Sequence, residues 1–229
     1  MRFGLTLPNV GKYGDARTLS DLAGVAEEAG WDGVFVWDTL HFQADESAVC
    51  DPWIALAAIA VRTERIKIGT MVAAPARRRP WKMAREATTL DHLSHGRLIL
   101  GVGVGDGSDR GFADFGEETD VRKRARLLDE SLDVLQGLWS GQPFSYSGEH
   151  TTSRRLPFYL HQSRCPGFRS GWVDCGREKA LCPGPHASTE SMHSPNVTMA
   201  HSVTSLLLRF INSNASWMST ARLPRHSTL

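Results

Sequence analysis

What this 229-residue sequence lacks narrows its function first. No apolar run approaches the roughly 18–20 residues that a membrane-crossing helix needs, and the longest later cluster, SLLLRFI at 205–211, is far shorter. The opening MRFGLTLPNV carries no apolar stretch of signal-peptide length, so the sequence predicts a cytoplasmic protein with no membrane partner. Cysteine is scarce. Of the four, Cys165, Cys175 and Cys182 are spaced ten and seven apart, which matches neither a zinc site nor a CxxC pair. We expect free thiols and no metal. An overall excess of one charge is also missing, the formal net charge being +1.

That balance hides an asymmetry. Residues 1–150 hold 17 Lys/Arg against 22 Asp/Glu, whereas residues 151–229 hold 9 against 3, together with 12 serines. The basic second part has no interleaved aromatics and no nucleic-acid-binding module, so nucleic acid is not an expected partner. We expect the chain to change character near residue 150.

The first 141 residues repeat a strand–helix unit. RFGLTLP (2–8) reads as a strand, followed from about Thr18 by a helix with Leu19, Leu22, Ala23, Ala26 and Ala29 on one face and Gly30 as its stop. GVFVWD (33–38) is a second strand. Asp51 and Pro52 supply an N-cap and first-turn proline for the helix WIALAAIAVRT. IKIGTMV (66–72) is a third strand, and Pro80 starts a third helix ending near Gly96. RLILGVGVG (97–105) is a fourth strand. A polar loop then leads to a helix from about Val121 to Ser140, with Leu128, Leu132, Leu135 and Trp139 at helical spacing. Alternating strands and helices imply a parallel α/β sheet, since a right-handed crossover brings each strand back parallel to the last. Four such units are half of an eightfold barrel of about 250 residues.

In that architecture ligands sit at the carboxyl ends of the strands. These ends read Pro8-Asn9, Trp37-Asp38-Thr39 with His41 behind, Thr70-Met71-Val72-Ala73, and Gly103-Val104-Gly105-Asp106. The glycines do not make a dinucleotide fingerprint. GxGxxG needs a third glycine and an immediate helix, whereas here Ser108 stands at the third position and SDRGFADFGEETD reads as loop. Instead Gly101, Gly103 and Gly105 share one strand face, with Leu100, Val102 and Val104 on the other. That pattern suits a flat ligand against bare backbone and equally a barrel strand that packs tightly. Asp38 and His41 form the best ionisable pair, the carboxylate orienting the imidazole for proton transfer; alternatively Asp38 caps a turn and His41 is solvated. Asp91 and His92 read as the exposed end of a helix, and ARRRP (76–80) as a basic, solvated loop able to meet phosphate.

Taken together, GWDGVFVWD, DPWIALAAIAVRTERIKIGTMVAAPARRRPWKMAREATTLDHLSHGRLILGVGVG and RARLLDESLDVLQGLWSGQPFSYSGEH resemble the bacterial luciferase-like flavin-dependent oxidoreductases over residues 1–150. TLDHLSHGRLILGVGVG is the most specific segment. The resemblance implies a (β/α)8 TIM-type barrel, of which about four βα units are present, binding FMN or the deazaflavin F420. It implies monooxygenation of a small organic substrate with reduced flavin and O2, or hydride transfer in F420-using members. It assigns the ring support to a bulge at Thr70, Met71 and Val72, the ring's flank to Gly103 and Gly105, and the reacting edge to Asp38 with His41 beyond.

After SGEH the family continues with a fifth strand worded IPVWVGG and three further units that carry much of the flavin phosphate site. This chain reads TTSRRLPFYLHQSRCPGFRSGWVDCGREKALCPGPH instead. Read from the third base of the Pro157 codon, permitted codons for Phe158 to Asp174 spell FLPPPVQVPGIPVWVGG in the shifted frame. Residues 151–229 are therefore expected to be an irregular tail, out of frame or disordered. A half barrel leaves strand edges unpaired, which favours a homodimer. The alternative function is a truncated, catalytically inactive half-barrel that serves only as a binding or assembly protein, or is a dead gene product.

Overall fold

The computed structural model describes residues 2–42, 48–156, 170–174 and 178–183. Its elements follow the expected alternation: β1 (Gly4–Leu7), α1 (Ala16–Glu28), β2 (Gly33–Val36), α2 (Pro52–Arg62), β3 (Lys67–Ala73), α3 (Pro80–Leu93), β4 (Leu98–Gly103), a single turn α4 (Gly111–Asp114) and the long α5 (Val121–Trp139). Short strands β5 (Phe144–Ser147), β6 (Thr152–Leu156), β7 (Ser170–Asp174) and β8 (Glu178–Pro183) follow.

Local chemistry explains the helix starts. The Asp51 carboxylate accepts from the N–H groups of Trp53 and Ile54 at 2.8 and 3.0 Å, with Pro52 at the first helical position. Asp15 caps α1 in the same way through the Thr18 N–H at 2.7 Å, so that helix begins two residues before the expected Thr18. Asp120 caps α5.

β1, β2, β3 and β4 pair in parallel, in sequence order. Their register puts Leu7, Val34, Val36, Ile68, Leu98 and Leu100 on the face covered by helices, all buried. Each such side chain contributes roughly 1.5–3 kcal/mol by leaving water. The opposite face carries Thr6, Phe35, Gly69, Ile99 and Gly101. The Phe35 ring lies so close over Gly4, Gly33 and Gly69 that a Cβ at any of them would meet it at 2.9–3.3 Å.

Beyond residue 150 the strand–helix alternation stops, as expected, and the described residues form short antiparallel strands. Strand β6 forms a hairpin with β5 across residue 150, and β8 pairs antiparallel with β4, followed by β7. The outer edge of β4, expected to be open, is thus covered. Residues 157–169, 175–177 and 184–229, with Cys165, Cys175 and SLLLRFI among them, lie outside the described residues.

Two polar devices hold the amino-terminal end of the sheet. Arg97, expected only as part of a strand, is 6% exposed and donates to the carbonyls of Ala60, Thr63, Ile66 and Ser94 and to the Thr63 hydroxyl at 2.7–3.0 Å. It thereby satisfies orphan carbonyls at the end of α2 and ties α2, β3 and β4 together. Nearby Asp91 is 2% exposed rather than solvated, and burial raises its pKa.

Glu27 of α1 is the second device. It accepts from the N–H groups of Glu64, Arg65 and Ile66, the last two at 2.7 Å. Desolvation acts to raise its pKa, but these three backbone donors outweigh it and hold the carboxyl below the ordinary glutamate value. A lowered folded-state pKa stabilises the protein above the unfolded-state pKa, and that contribution disappears as pH falls through the folded value. Glu27→Gln is therefore expected to cost about 1–2 kcal/mol at neutral pH. In urea titrations at a series of pH values, the gap from the native protein should close on acidification. A gap constant with pH would remove the charge from the explanation.

Candidate functional site

The carboxyl ends of β1 to β4 meet a set of loops held by buried charge. Asn9, fully buried just beyond β1, donates to the carbonyls of Thr39 and Cys50 at 2.8 Å each, fixing the loop that follows β2. On that loop Asp38 has a fully buried side chain. Its carboxylate takes a two-pronged contact from Arg78, Nη2 at 2.5 Å and Nε at 3.0 Å, and also accepts from the Ala74 N–H at 3.3 Å. Burial works to lower the Arg78 pKa, but the Asp38 hydrogen bond and charge outweigh it and raise the value.

Arg77, its side chain 3% exposed, bridges two loops. It donates to the Asp38 carbonyl and, at 2.6 Å, to the carboxylate of buried Asp109. Asp109 also accepts from the backbone N–H of His41 at 3.2 Å and of Gly111 at 2.9 Å. The start of α4 therefore sits directly on residues 40–41. A Cβ at Gly111 would strike the Leu40 Cβ at 2.6 Å, so only glycine permits this approach.

The expected pairing of Asp38 with His41 does not form. His41 Nδ1 lies 2.7 Å from Asp114 on α4, while Asp38 is consumed by Arg78. Asp38 is thus a clamp without solvent access, because a desolvated carboxylate is stable here only through its guanidinium partners. Within ARRRP, Arg77 and Arg78 are correspondingly drawn into these contacts, while Arg79 is exposed. The sequence reading missed Arg77, Arg78, Asp109 and Asp114. Its one available signal was the triple arginine directly after a strand end.

At β3 the register advances three residues, from Thr70 to Ala73, against two on β4, so a bulge falls at Met71 and Val72, with a cis peptide bond between them. The Thr70 hydroxyl is turned to its own sheet and donates to the Gly101 carbonyl at 2.7 Å. The glycine face of β4 is only partly bare. A Cβ at Gly101 would meet the Thr70 carbonyl oxygen at 2.3 Å, which is tight packing. At Gly105 the space is filled by Phe112, 2.5 Å from a notional Cβ. Phe112 is itself 3% exposed, with the guanidinium carbons of Arg77 and Arg124 at 4.7 and 4.2 Å from its ring centre. Gly103 is buried at the end of β4 on the same face as Gly101.

These residues fit the ring of a flavin in part. Half-buried Met71 and Val72 at the bulge lie beside buried Gly103 at the strand ends, and Thr6, whose hydroxyl has no hydrogen-bond partner among the described residues, lies on the sheet face that carries Phe35. Gly105 does not contribute bare backbone. No phosphate cradle accompanies them among the described residues.

Residues 1–168 match the family described as luciferase-like monooxygenase. The chain belongs to this family. Among its luciferase-like relatives is an F420-dependent glucose-6-phosphate dehydrogenase of Rhodococcus erythropolis, 35% identical over 150 residues that cover 62% of this chain and 43% of the relative. An F420-dependent secondary alcohol dehydrogenase, solved with an F420–acetone adduct, superposes with a TM-score of 0.62 at 24% identity, over 69% of this chain and 48% of that one. The monooxygenase RslO1 of Streptomyces bottropensis superposes with a TM-score of 0.60 at 26% identity, over 69% and 49%. The luciferase-like chain thus spans under half the length of each of these proteins. The parallel sheet with alternating helices is the barrel architecture of its neighbours. Among its described residues no helix is long and apolar enough to cross a membrane.

Proposed function

We propose that the strand ends form the ring-side part of an oxidoreductase site in which F420 or FMN lies against Met71, Val72 and Gly103. The observation that carries this reading is the β3 bulge set beside the glycine end of β4. F420 comes first, because the matched dehydrogenase relative is named as F420-dependent. Monooxygenation of a small organic substrate with reduced FMN and O2 is the second reading, favoured by the likeness to RslO1.

When bound, such a ring accepts or delivers a hydride, and the protein's contribution is position and exclusion of water. Met71, Val72 and Gly103 would hold the ring, with Phe35 and Ile99 flooring the face below. The Asp38–Arg78 and Arg77–Asp109 pairs keep the surrounding loops in place. His41, 28% exposed by side chain at the mouth, is the group that handles a proton. A small-molecule substrate and the cofactor are the partners in this reading. The out-of-frame origin of residues beyond about 150 also stands as a proposal, decided by the sequence of the encoding DNA. Titration of the purified chain with F420 and separately with FMN, followed by fluorescence, tests the cofactor reading. Saturable binding of either is expected; a folded protein that binds neither leaves the inactive half-barrel as the better account.

A further inference from the structure

We infer that Asp114 is the positioning residue of His41, holding it in the tautomer that leaves Nε2 free to accept a proton. This rests on the reading of His41 as the proton-handling group. The contact is short, 2.7 Å between Nδ1 and the Asp114 carboxylate, and a carboxylate can only accept. Nδ1 therefore carries the hydrogen, and in the neutral ring Nε2 carries the lone pair. A histidine held at one nitrogen by a carboxylate is oriented for proton transfer at the other.

The arrangement is built from more than one contact. Asp109, five residues earlier, accepts from the His41 backbone N–H at 3.2 Å, so one short segment grips both the main chain and the ring of the same residue. Asp109 is itself anchored by Arg77 at 2.6 Å, and its bond to the Gly111 N–H fixes the start of α4, which ends at Asp114. Arg110 approaches the Asp114 carboxylate at 3.4–3.5 Å and balances its charge, while the much shorter 2.7 Å contact from Nδ1 keeps the His41 ring as the closer donor to Oδ2. The side chains of His41 and Asp114 are 28% and 30% exposed, so the dyad stands at the opening of the strand ends rather than in the core. The proton passes from a substrate X–H to Nε2, leaving the electron pair on X and a positive charge on the ring that faces the Asp114 carboxylate.

Ring-nitrogen NMR of the full chain labelled with 15N-histidine tests this above the imidazole titration range. The native protein is expected to show His41 protonated at Nδ1. In Asp114→Asn the amide can donate to Nδ1, which moves the hydrogen to Nε2; Asp114→Ala releases the ring to the Nε2–H form that free histidine prefers. The other eight histidines serve as the folding control. A native His41 protonated at Nε2, or an unchanged tautomer in Asp114→Asn, overturns the inference. In cofactor-dependent turnover Asp114→Asn is expected to lower kcat by roughly 10²-fold, with KM little changed. The two claims fail separately. If His41→Ala leaves turnover intact while the tautomer shifts as described, the proton role falls and the positioning by Asp114 stands.

Discussion

Arg97→Met is expected to lose about 3–5 kcal/mol of stability, because methionine preserves most of the volume and none of the donors. Five acceptors converge on this one guanidinium, from Ala60, Thr63 (carbonyl and hydroxyl), Ile66 and Ser94. Burial pulls the Arg97 pKa below its ordinary value, yet the group keeps its proton because the acceptors face its N–H bonds. Without the arginine, carbonyls at the end of α2 and in the approach to β3 lie buried with no partner, and water has little access to a site 6% exposed. Urea denaturation of the native protein and the variant measures the loss. A difference under about 1 kcal/mol would mean that the acceptors find other donors, and that Arg97 does not join α2 to the sheet.

Asp38→Ala is expected to be comparably severe, at about 3–5 kcal/mol, because it leaves the Arg78 charge without its carboxylate beside a void, while Arg77 keeps Asp109 and the carbonyl of residue 38. The Asp38 side chain is fully buried and that of Arg78 is 18% exposed, so solvent can replace little of the carboxylate's part. The double variant Asp38→Leu/Arg78→Leu should recover part of the loss, since it removes both charges and fills the space. Thermal and urea unfolding of the three proteins gives the comparison. If Asp38→Ala retains native stability and loses only turnover, Asp38 is a group that meets substrate, and the clamp described above is wrong.

Much of the framework was legible because its signals are local. Asp51-Pro52 announces α2 by cap chemistry, and Leu128, Leu132 and Leu135 announce α5 by their period. The alternation of Leu100 and Val102 with glycines showed which face of β4 turns to the helices. It did not show what occupies the glycine side, since the Thr70 carbonyl and the Phe112 ring come from other segments. The charge partners escaped for the same reason. Arg78 lies 40 residues from Asp38 and Asp109 lies 68 from His41, separations that no periodicity reports. The choice between Asp38 and Asp114 as partner of His41 hangs on α4, a helix of four residues, too short to leave a periodic signature.

The titration with F420 and FMN, run beside a Gly103→Leu variant, tests the central claim most directly. Leucine at Gly103 would project its side chain onto the sheet face that carries Gly101, where the ring is proposed to lie. The account predicts saturable binding of one cofactor by the native chain, weakened at least tenfold in the variant at a temperature where circular dichroism shows both proteins folded. Equal binding by native protein and variant, or no binding by a folded native chain, would contradict it.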